Sequence, residues 1–269
     1  MATQFLKHQT GTLAYDDAGS GPLVICVPSM GDVRGEYRFL VPQLMAAGYR
    51  AISLDVRGHG ESSTDWSDFS VAAIGSDILA LIRHLDAGPA FVIGTSMAAG
   101  AAVWAAAEAP GQIRGLVLIG PFVRGGGDVA SRLMYGALFA RPWGPSMWLK
   151  YYATLYPTRK PADFAEYAAA LQANLKAPGR MEALQRMIAA SKAASEQRLP
   201  RVTAPVKVLM GSKDRDFKDP EAEAKWVSAS LRGTHQMIEN AGHYPHAEMP
   251  DIVGPIILTT LKAFHESKN

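Results

Sequence analysis

The sequence predicts an α/β fold: a mostly parallel sheet flanked by helices, with a helical insertion carried between two strands. Three observations carry that expectation. Short apolar runs (residues 23–27, 50–54, 116–119) alternate with stretches of helical periodicity, the pattern of strands covered on both faces. The alternation stops after Phe122, with no strand-like run until Val206. One apolar run, residues 90–93, passes into an alanine-rich helix former, residues 98–107, across a sharp turn at Ser96.

Taken in order, residues 4–16 read as two short strands joined at Thr10-Gly11, followed by a loop, Asp17-Ala18-Gly19-Ser20-Gly21-Pro22. The strand at 23–27 breaks at Pro28-Ser29-Met30-Gly31-Asp32, and a helix is expected over about 37–47, closed by Gly48. After the strand at 50–54, Ile74, Ile78, Leu81, Ile82 and Leu85 share one face of a helix over 71–85. The helix after Ser96 stops at Pro110, and the next strand ends at Gly120-Pro121. The middle block holds three expected helices, near 129–139, 161–175 and 181–195, with Gly125-Gly126-Gly127 as an entry hinge. A strand (206–210), a helix (220–231), a strand (234–238) and a last helix (251–264) complete the chain.

Bulk composition narrows the function classes. The 269 residues are 48% hydrophobic, enough for one large α/β domain with an insertion. With 27 Lys and Arg against 25 Asp and Glu, the net charge of +2 makes no electrostatic case for nucleic acid or an anionic membrane. The single cysteine, Cys26, lies in an apolar run and reads as a packing residue, consistent with a reducing compartment. The first residues lack the apolar core of a signal peptide, and no run approaches a membrane span. The expectation is a cytoplasmic protein, monomer or homodimer, acting on a small molecule.

The turn at Ser96 carries the chemistry. A chain that changes from strand to helix within two residues forces an unusual backbone conformation on the central one and pushes its side chain out of the sheet. In Gly94-Thr95-Ser96-Met97-Ala98 the flanking residues are small enough for such a turn, with Ala98 where a glycine is usual. Ser96 then stands at a helix N-terminus, and the Met97 backbone N–H is a donor for an oxyanion. Taken alone, the motif also fits an ordinary strand-to-helix turn. A serine hydroxyl needs a base near neutral pKa and a carboxylate to orient that base. The loops after the last two strands supply both: Gly211-Ser212-Lys213-Asp214-Arg215-Asp216, and Ala241-Gly242-His243-Tyr244-Pro245-His246. Ser96, Asp214 and His243 therefore follow one another at strand carboxyl ends, where a parallel sheet gathers its functional groups. His246 is expected to have a capping or surface role at the start of the last helix. His59 is expected to be structural within its glycine-flanked turn.

With these motifs and the turn Asp55-Val56-Arg57-Gly58-His59-Gly60-Glu61-Ser62, nearly the whole chain resembles the α/β-hydrolase superfamily, in particular serine esterases and lipases with a helical cap. The resemblance implies an eight-stranded sheet, a core of residues 1–121 and 201–269, and a cap of residues 122–200. It implies Ser96 as nucleophile, His243 as base, and Asp214 rather than Asp216 as orienting acid. It also implies a second oxyanion donor after the 23–27 strand. Family members commonly carry His-Gly there; here Pro28 and Ser29 stand in their place, and Met30 supplies the N–H. Ser29 is expected to add a hydroxyl at the mouth of the site, and Phe122, Trp143 and Trp148 to line an apolar pocket. The activity implied is hydrolysis of small apolar esters or lactones through an acyl-enzyme, without metal or cofactor. C–C bond hydrolysis, acyl transfer, perhydrolysis and a weakly catalytic ligand receptor are the alternatives. Dehalogenase and epoxide hydrolase chemistry would need a carboxylate at position 96.

Overall fold

A computed structural model describes residues 2–125 and 129–267; Gly126 and Gly127 of the expected hinge lie outside them. Its single sheet contains β1 (Gln4–His8), β2 (Gly11–Gly19), β3 (Leu23–Val27), β4 (Arg50–Leu54), β5 (Ala90–Thr95), β6 (Ile113–Ile119), β7 (Val206–Gly211) and β8 (Thr234–Ile238). Their spatial order is β1-β2-β4-β3-β5-β6-β7-β8. The pairs β1/β2 and β2/β4 are antiparallel, and every other pair is parallel.

The helices of the sheet are α1 (Leu40–Ala46), α2 (Val71–Leu85) and α3 (Met97–Glu108). Between β6 and β7 come α4 (Val129–Leu138), α5 (Gly144–Thr154), α6 (Phe164–Lys176), α7 (Arg180–Ala189) and α8 (Ala193–Glu196), which form the helical insertion. The chain ends with α9 (Pro220–Ser230), α10 (Pro245–Glu248) and α11 (Pro250–Glu266). No helix among the described residues is long and apolar enough to cross a membrane.

The continuous apolar strands are explained by two cores. Ile25, Val92, Leu118 and Val208 face one side with Ile74 and Ile78 of α2 and Ala102 of α3. Their neighbours Cys26, Ile93, Val117 and Leu209 face the other, with Leu40 and Leu44 of α1 and Val253 and Ile257 of α11. Each buried aliphatic side chain contributes about 1.5–3 kcal/mol, so this double burial fixes the register from which the functional loops spring. Cys26 is a fully buried packing residue, and burial pushes its thiol pKa up.

Three helix expectations are corrected. The helix over 37–47 is a tight 3-10 turn, Arg34–Tyr37, followed by the shorter α1. The single helix over 181–195 divides at Ala190, whose extended backbone (ψ 137°) separates α7 from α8. Helix α5 was not expected at all. His246 is likewise neither a surface residue nor a cap: it is 2% exposed within α10, stacked on Tyr37 at 5.0 Å, with Nε2 3.1 Å from Glu36 Oε1.

Candidate active site

Ser96 occupies the junction of β5 and α3 with φ 58° and ψ −121°, a conformation that costs a non-glycine residue on the order of 1–3 kcal/mol. The surroundings over-determine it. The Ser96 N–H donates to Ile119 O at 2.8 Å, while its carbonyl accepts from Ala99 N and Phe122 N, each at 3.1 Å. Gly94 is required by close approach, since a β-carbon there would lie 2.8 Å from Ala98 O; at position 98 itself alanine fits, buried in the core. Because α3 begins at Met97, the first N–H groups of the helix have no helical carbonyl four residues back, and the Ala99 N–H is taken up by Ser96 O.

The loops after β7 and β8 are stitched together by Lys213 N–H to Ala241 O (2.9 Å) and Ser212 N–H to Ile238 O (3.0 Å). This brings His243 Nδ1 to 2.7 Å from Asp214 Oδ2, with both side chains buried. Asp216 stands second: its Oδ2 is 3.8 Å from the same nitrogen, and its Oδ1 accepts from the Tyr151 hydroxyl. Burial opposes the imidazolium, but the Asp214 and Asp216 carboxylates outweigh it and push His243 up to about 9. Phe122 ties this loop to the serine, with its N–H on Ser96 O and its ring 6.0 Å from the imidazole. Among the described residues no hydrogen bond joins His243 to Ser96, a link that often tightens only when substrate is bound.

Asp214, Asp216 and His243 also present one ligand atom each within 4.8 Å of one another, enough in number to hold a metal ion. The donor geometry speaks for hydrogen bonding instead. At 2.7 Å the Nδ1–carboxylate contact leaves no room for an ion between the two groups, and Asp216 is engaged by Tyr151.

The loop after β3 is held at nearly every backbone donor. Ser29 N–H donates to Glu36 Oε2 (2.8 Å), Gly31 N–H to His59 Nε2 (3.0 Å), and Asp32 N–H to Ser29 O (3.3 Å). Met30 N–H is the one donor from Ser29 to Asp32 with no acceptor among the described residues. His59 is fully buried, and burial lowers its pKa to about 4, so its neutral ring can donate from Nδ1 to Arg57 O and accept at Nε2.

A cavity of about 530 Å³ adjoins the site, lined by Met30, Phe122, Trp148, Tyr151, Asp216 and Phe217 among others. Two expected contacts, Phe122 and Trp148, therefore line it; a β-carbon on Gly31 would lie 2.3 Å from the Trp148 ring. The other two are not among the residues that line it. Trp143 is 53% exposed with its indole N–H on Ala137 O, and Ser29 is buried with its hydroxyl 2.6 Å from Tyr244 Oη. The rim also carries Arg124, Lys192, Arg215 and Lys218, which are scattered over the sequence and gave no sign of a basic cluster. Arg124 is paired with Glu223.

Residues 24–254 match the alpha/beta hydrolase family. The chain belongs to that family. Human monoglyceride lipase is 28% identical over 262 residues, covering 91% of this chain and 80% of the lipase. The Mycobacterium tuberculosis protein bearing the name non-heme bromoperoxidase BpoC is 38% identical over 108 residues, covering 40% of this chain and only 41% of that protein's length. Among solved structures, a thermophilic esterase from Thermogutta terrifontis superposes with a TM-score of 0.84 at 23% identity, covering 98% of this chain and all (100%) of the esterase. The enol-lactonase from Burkholderia xenovorans LB400 gives 0.82 at 19% identity, over 96% of this chain and 100% of its own. At these identities the structural likeness is one of fold, and this α/β-hydrolase shares it with esterases, lipases and lactonases.

Proposed function

We propose that this α/β-hydrolase cleaves carboxylic esters or lactones of small, largely apolar compounds through an acyl-enzyme on Ser96, beneath a cap formed by residues 122–200. The observation that carries the reading is the strained Ser96 at the start of α3, beside a buried Asp214–His243 pair and a Met30 N–H without an acceptor. Neutral His243 takes the Ser96 proton as the hydroxyl oxygen attacks the acyl carbon, and Asp214 steadies the imidazolium that forms. The Met30 and Met97 N–H groups receive the oxyanion. Collapse expels the alcohol, protonated by His243. Water, deprotonated by the same ring, then releases the acid and restores Ser96. No metal or cofactor enters these steps. Phe122 and Trp148 give the cavity an apolar wall for the acyl or alcohol group.

Intact-mass labelling with a fluorophosphonate, run beside turnover of a p-nitrophenyl ester series, tests the reading. One adduct per chain on Ser96, with turnover lost in Ser96→Ala, is the expected result. A folded protein that neither labels nor turns over any ester would overturn it. The partial likeness to the bromoperoxidase-named protein favours perhydrolysis as a second reading, in which hydrogen peroxide replaces water and the acyl-enzyme leaves as a peracid. Peracid formation at the expense of free acid, when peroxide is added, separates the two.

A further inference from the structure

Asp32 is a fully buried carboxylate that the acyl-transfer steps do not use. It lies two residues beyond Met30, and its own N–H closes the loop onto Ser29 O at 3.3 Å. Its Oδ1 accepts from Val33 N–H (2.8 Å) and from the Tyr167 hydroxyl, and its Oδ2 accepts from the Tyr152 hydroxyl at 2.9 Å. Tyr152 belongs to α5 and Tyr167 to α6, so two helices of the insertion converge on one carboxylate of the loop. The cluster continues inward. Tyr152 bonds Tyr156 at 2.9 Å, both rings pack against Tyr244, and Tyr244, next to His243, sits 2.6 Å from Ser29 Oγ. Burial and the nearby Glu36 anion push the Asp32 carboxyl up to about 7, while hydrogen bonds from Tyr167, Val33 and Tyr152 favour its charged form.

We propose that Asp32 is a positioning residue that couples the cap to the oxyanion loop: with Tyr152 and Tyr167 seated on its carboxylate, the Met30 N–H is aimed at the acyl oxygen, and when they leave, that aim is lost. The inference rests on the reading of Met30 as an oxyanion donor. It makes cap docking a condition for chemistry as well as a cover for the cavity. The physical basis is that a preorganised donor stabilises the transition state only while its direction is fixed. Glu36 and His59 fix Ser29 and Gly31 from the core side, and Asp32 is the point where the insertion takes hold.

The test measures kcat and KM, with a p-nitrophenyl ester the wild type turns over, for Asp32→Asn, Tyr167→Phe, their double variant, and Asp163→Ala. The last breaks a different tether of α6, the ion pair of Asp163 with Arg38 at 2.6 Å, without touching the Asp32 carboxylate. The expected result is a kcat ~10- to ~100-fold lower for Asp32→Asn and Tyr167→Phe, short of the ~10²–10³ lost when an oxyanion donor is removed outright. KM should stay within about threefold, and the double variant should be no worse than the poorer single one, as for groups acting as a unit. Asp163→Ala should keep kcat within about twofold. Unchanged kcat in both single variants, additive losses, or an equal loss in Asp163→Ala would overturn the coupling. If Asp32→Asn fails to fold, Tyr167→Phe against Asp163→Ala decides. A wild-type protein without turnover or Ser96 labelling would instead fail the underlying reading and the inference with it.

Discussion

Replacing Asp216 by asparagine removes a negative charge 3.8 Å from His243 Nδ1 and keeps an oxygen for the Tyr151 hydroxyl. Its effect on the base follows from Coulomb's law. Two unit charges at that separation interact by ~4 kcal/mol at an effective dielectric of ~20 and by ~1 kcal/mol at that of water. At about 1.4 kcal/mol per pH unit, the two limits bracket a displacement of ~1 to ~3 units. Only 13% of the Asp216 side chain and 2% of His243 are exposed, so water screens the pair little and the displacement lies toward the upper limit, ~2 units or more. The sign is fixed by which form works. The wild-type imidazole is pushed up to about 9, so its neutral, proton-accepting form is lost as pH falls through about 9. Removing an anion destabilises the imidazolium, lowers that value, and moves the acid limb of kcat/KM toward lower pH. At about pH 8 the neutral fraction rises from ~0.1 to ~0.9, so Asp216→Asn should be ~10-fold faster than wild type there and equal to it at the alkaline plateau. Background-corrected ester hydrolysis from about pH 6 to about pH 10 reads this directly. An acid limb that stays in place, or moves to higher pH, would refute the electrostatic role of Asp216.

Asp214→Asn should behave differently, because Asp214 touches Nδ1 at 2.7 Å and sets the tautomer: kcat should fall ~10³- to ~10⁴-fold, and a smaller loss than in Asp216→Asn would transfer the orienting role to Asp216. Trp148→Ala enlarges the cavity beside Gly31, so the chain-length optimum of a p-nitrophenyl acyl series should move to longer acyl groups; an unchanged optimum would remove Trp148 from the pocket wall. Away from the site, Arg57 donates to Asp77 from Nε at 2.7 Å and from Nη2 at 2.6 Å, both residues being buried. Arg57→Ala strands a buried carboxylate and should cost about 3–5 kcal/mol in urea unfolding, whereas a cost below ~1 kcal/mol would show the pair to be dispensable. A chelator should leave ester turnover unchanged, since the contact between His243 and Asp214 is a hydrogen bond; loss of turnover, restored by a divalent ion, would make Asp214, Asp216 and His243 ligands.

What could be read from the sequence was whatever is local to a strand and the few residues after it. The strands expected at 23–27, 50–54 and 234–238 correspond to β3, β4 and β8 with the same bounds, and the helix expected over 71–85 is α2. Ser96, Asp214 and His243 stand out for the same reason: each lies within a few residues of a strand end, in a motif whose glycines and order carry the information. What depends on contacts across the chain was not legible. Asp32 was visible only as the end of a loop, because its partners Tyr152 and Tyr167 are 120 and 135 residues away. Helix α5 was missed because its Gly-Pro start and crowded aromatics do not give a clean amphipathic stripe; its Trp148 and Tyr152 are buried against different neighbours. Trp143 was expected in the pocket by type alone, and being aromatic does not say which way a side chain at the start of a helix points. His246 was misread because proximity to a helix start suggests exposure, whereas the chain turns inward at Pro245 and covers it with Tyr37 and Tyr244.

The departure from His-Gly in the loop after β3 gains meaning from these long-range contacts. A glycine at position 29 would leave the backbone free to adopt many conformations, and a loop that must aim one N–H would have to be held from elsewhere. Ser29 instead offers both its N–H, to Glu36, and its hydroxyl, to Tyr244, so the residue before Met30 is fixed at two points. Gly31 on the other side is fixed by His59, a residue whose burial keeps it neutral and able to accept. With both neighbours tied, the only donor in the loop left without an acceptor among the described residues is the one that the chemistry proposed here requires. The same arrangement explains why so many ionisable groups are buried within one small region. Asp32, Glu36 and the hydroxyls of Tyr152 and Tyr244 are costly to desolvate, and they are tolerated because each makes a hydrogen bond that fixes the loop or the helices against it.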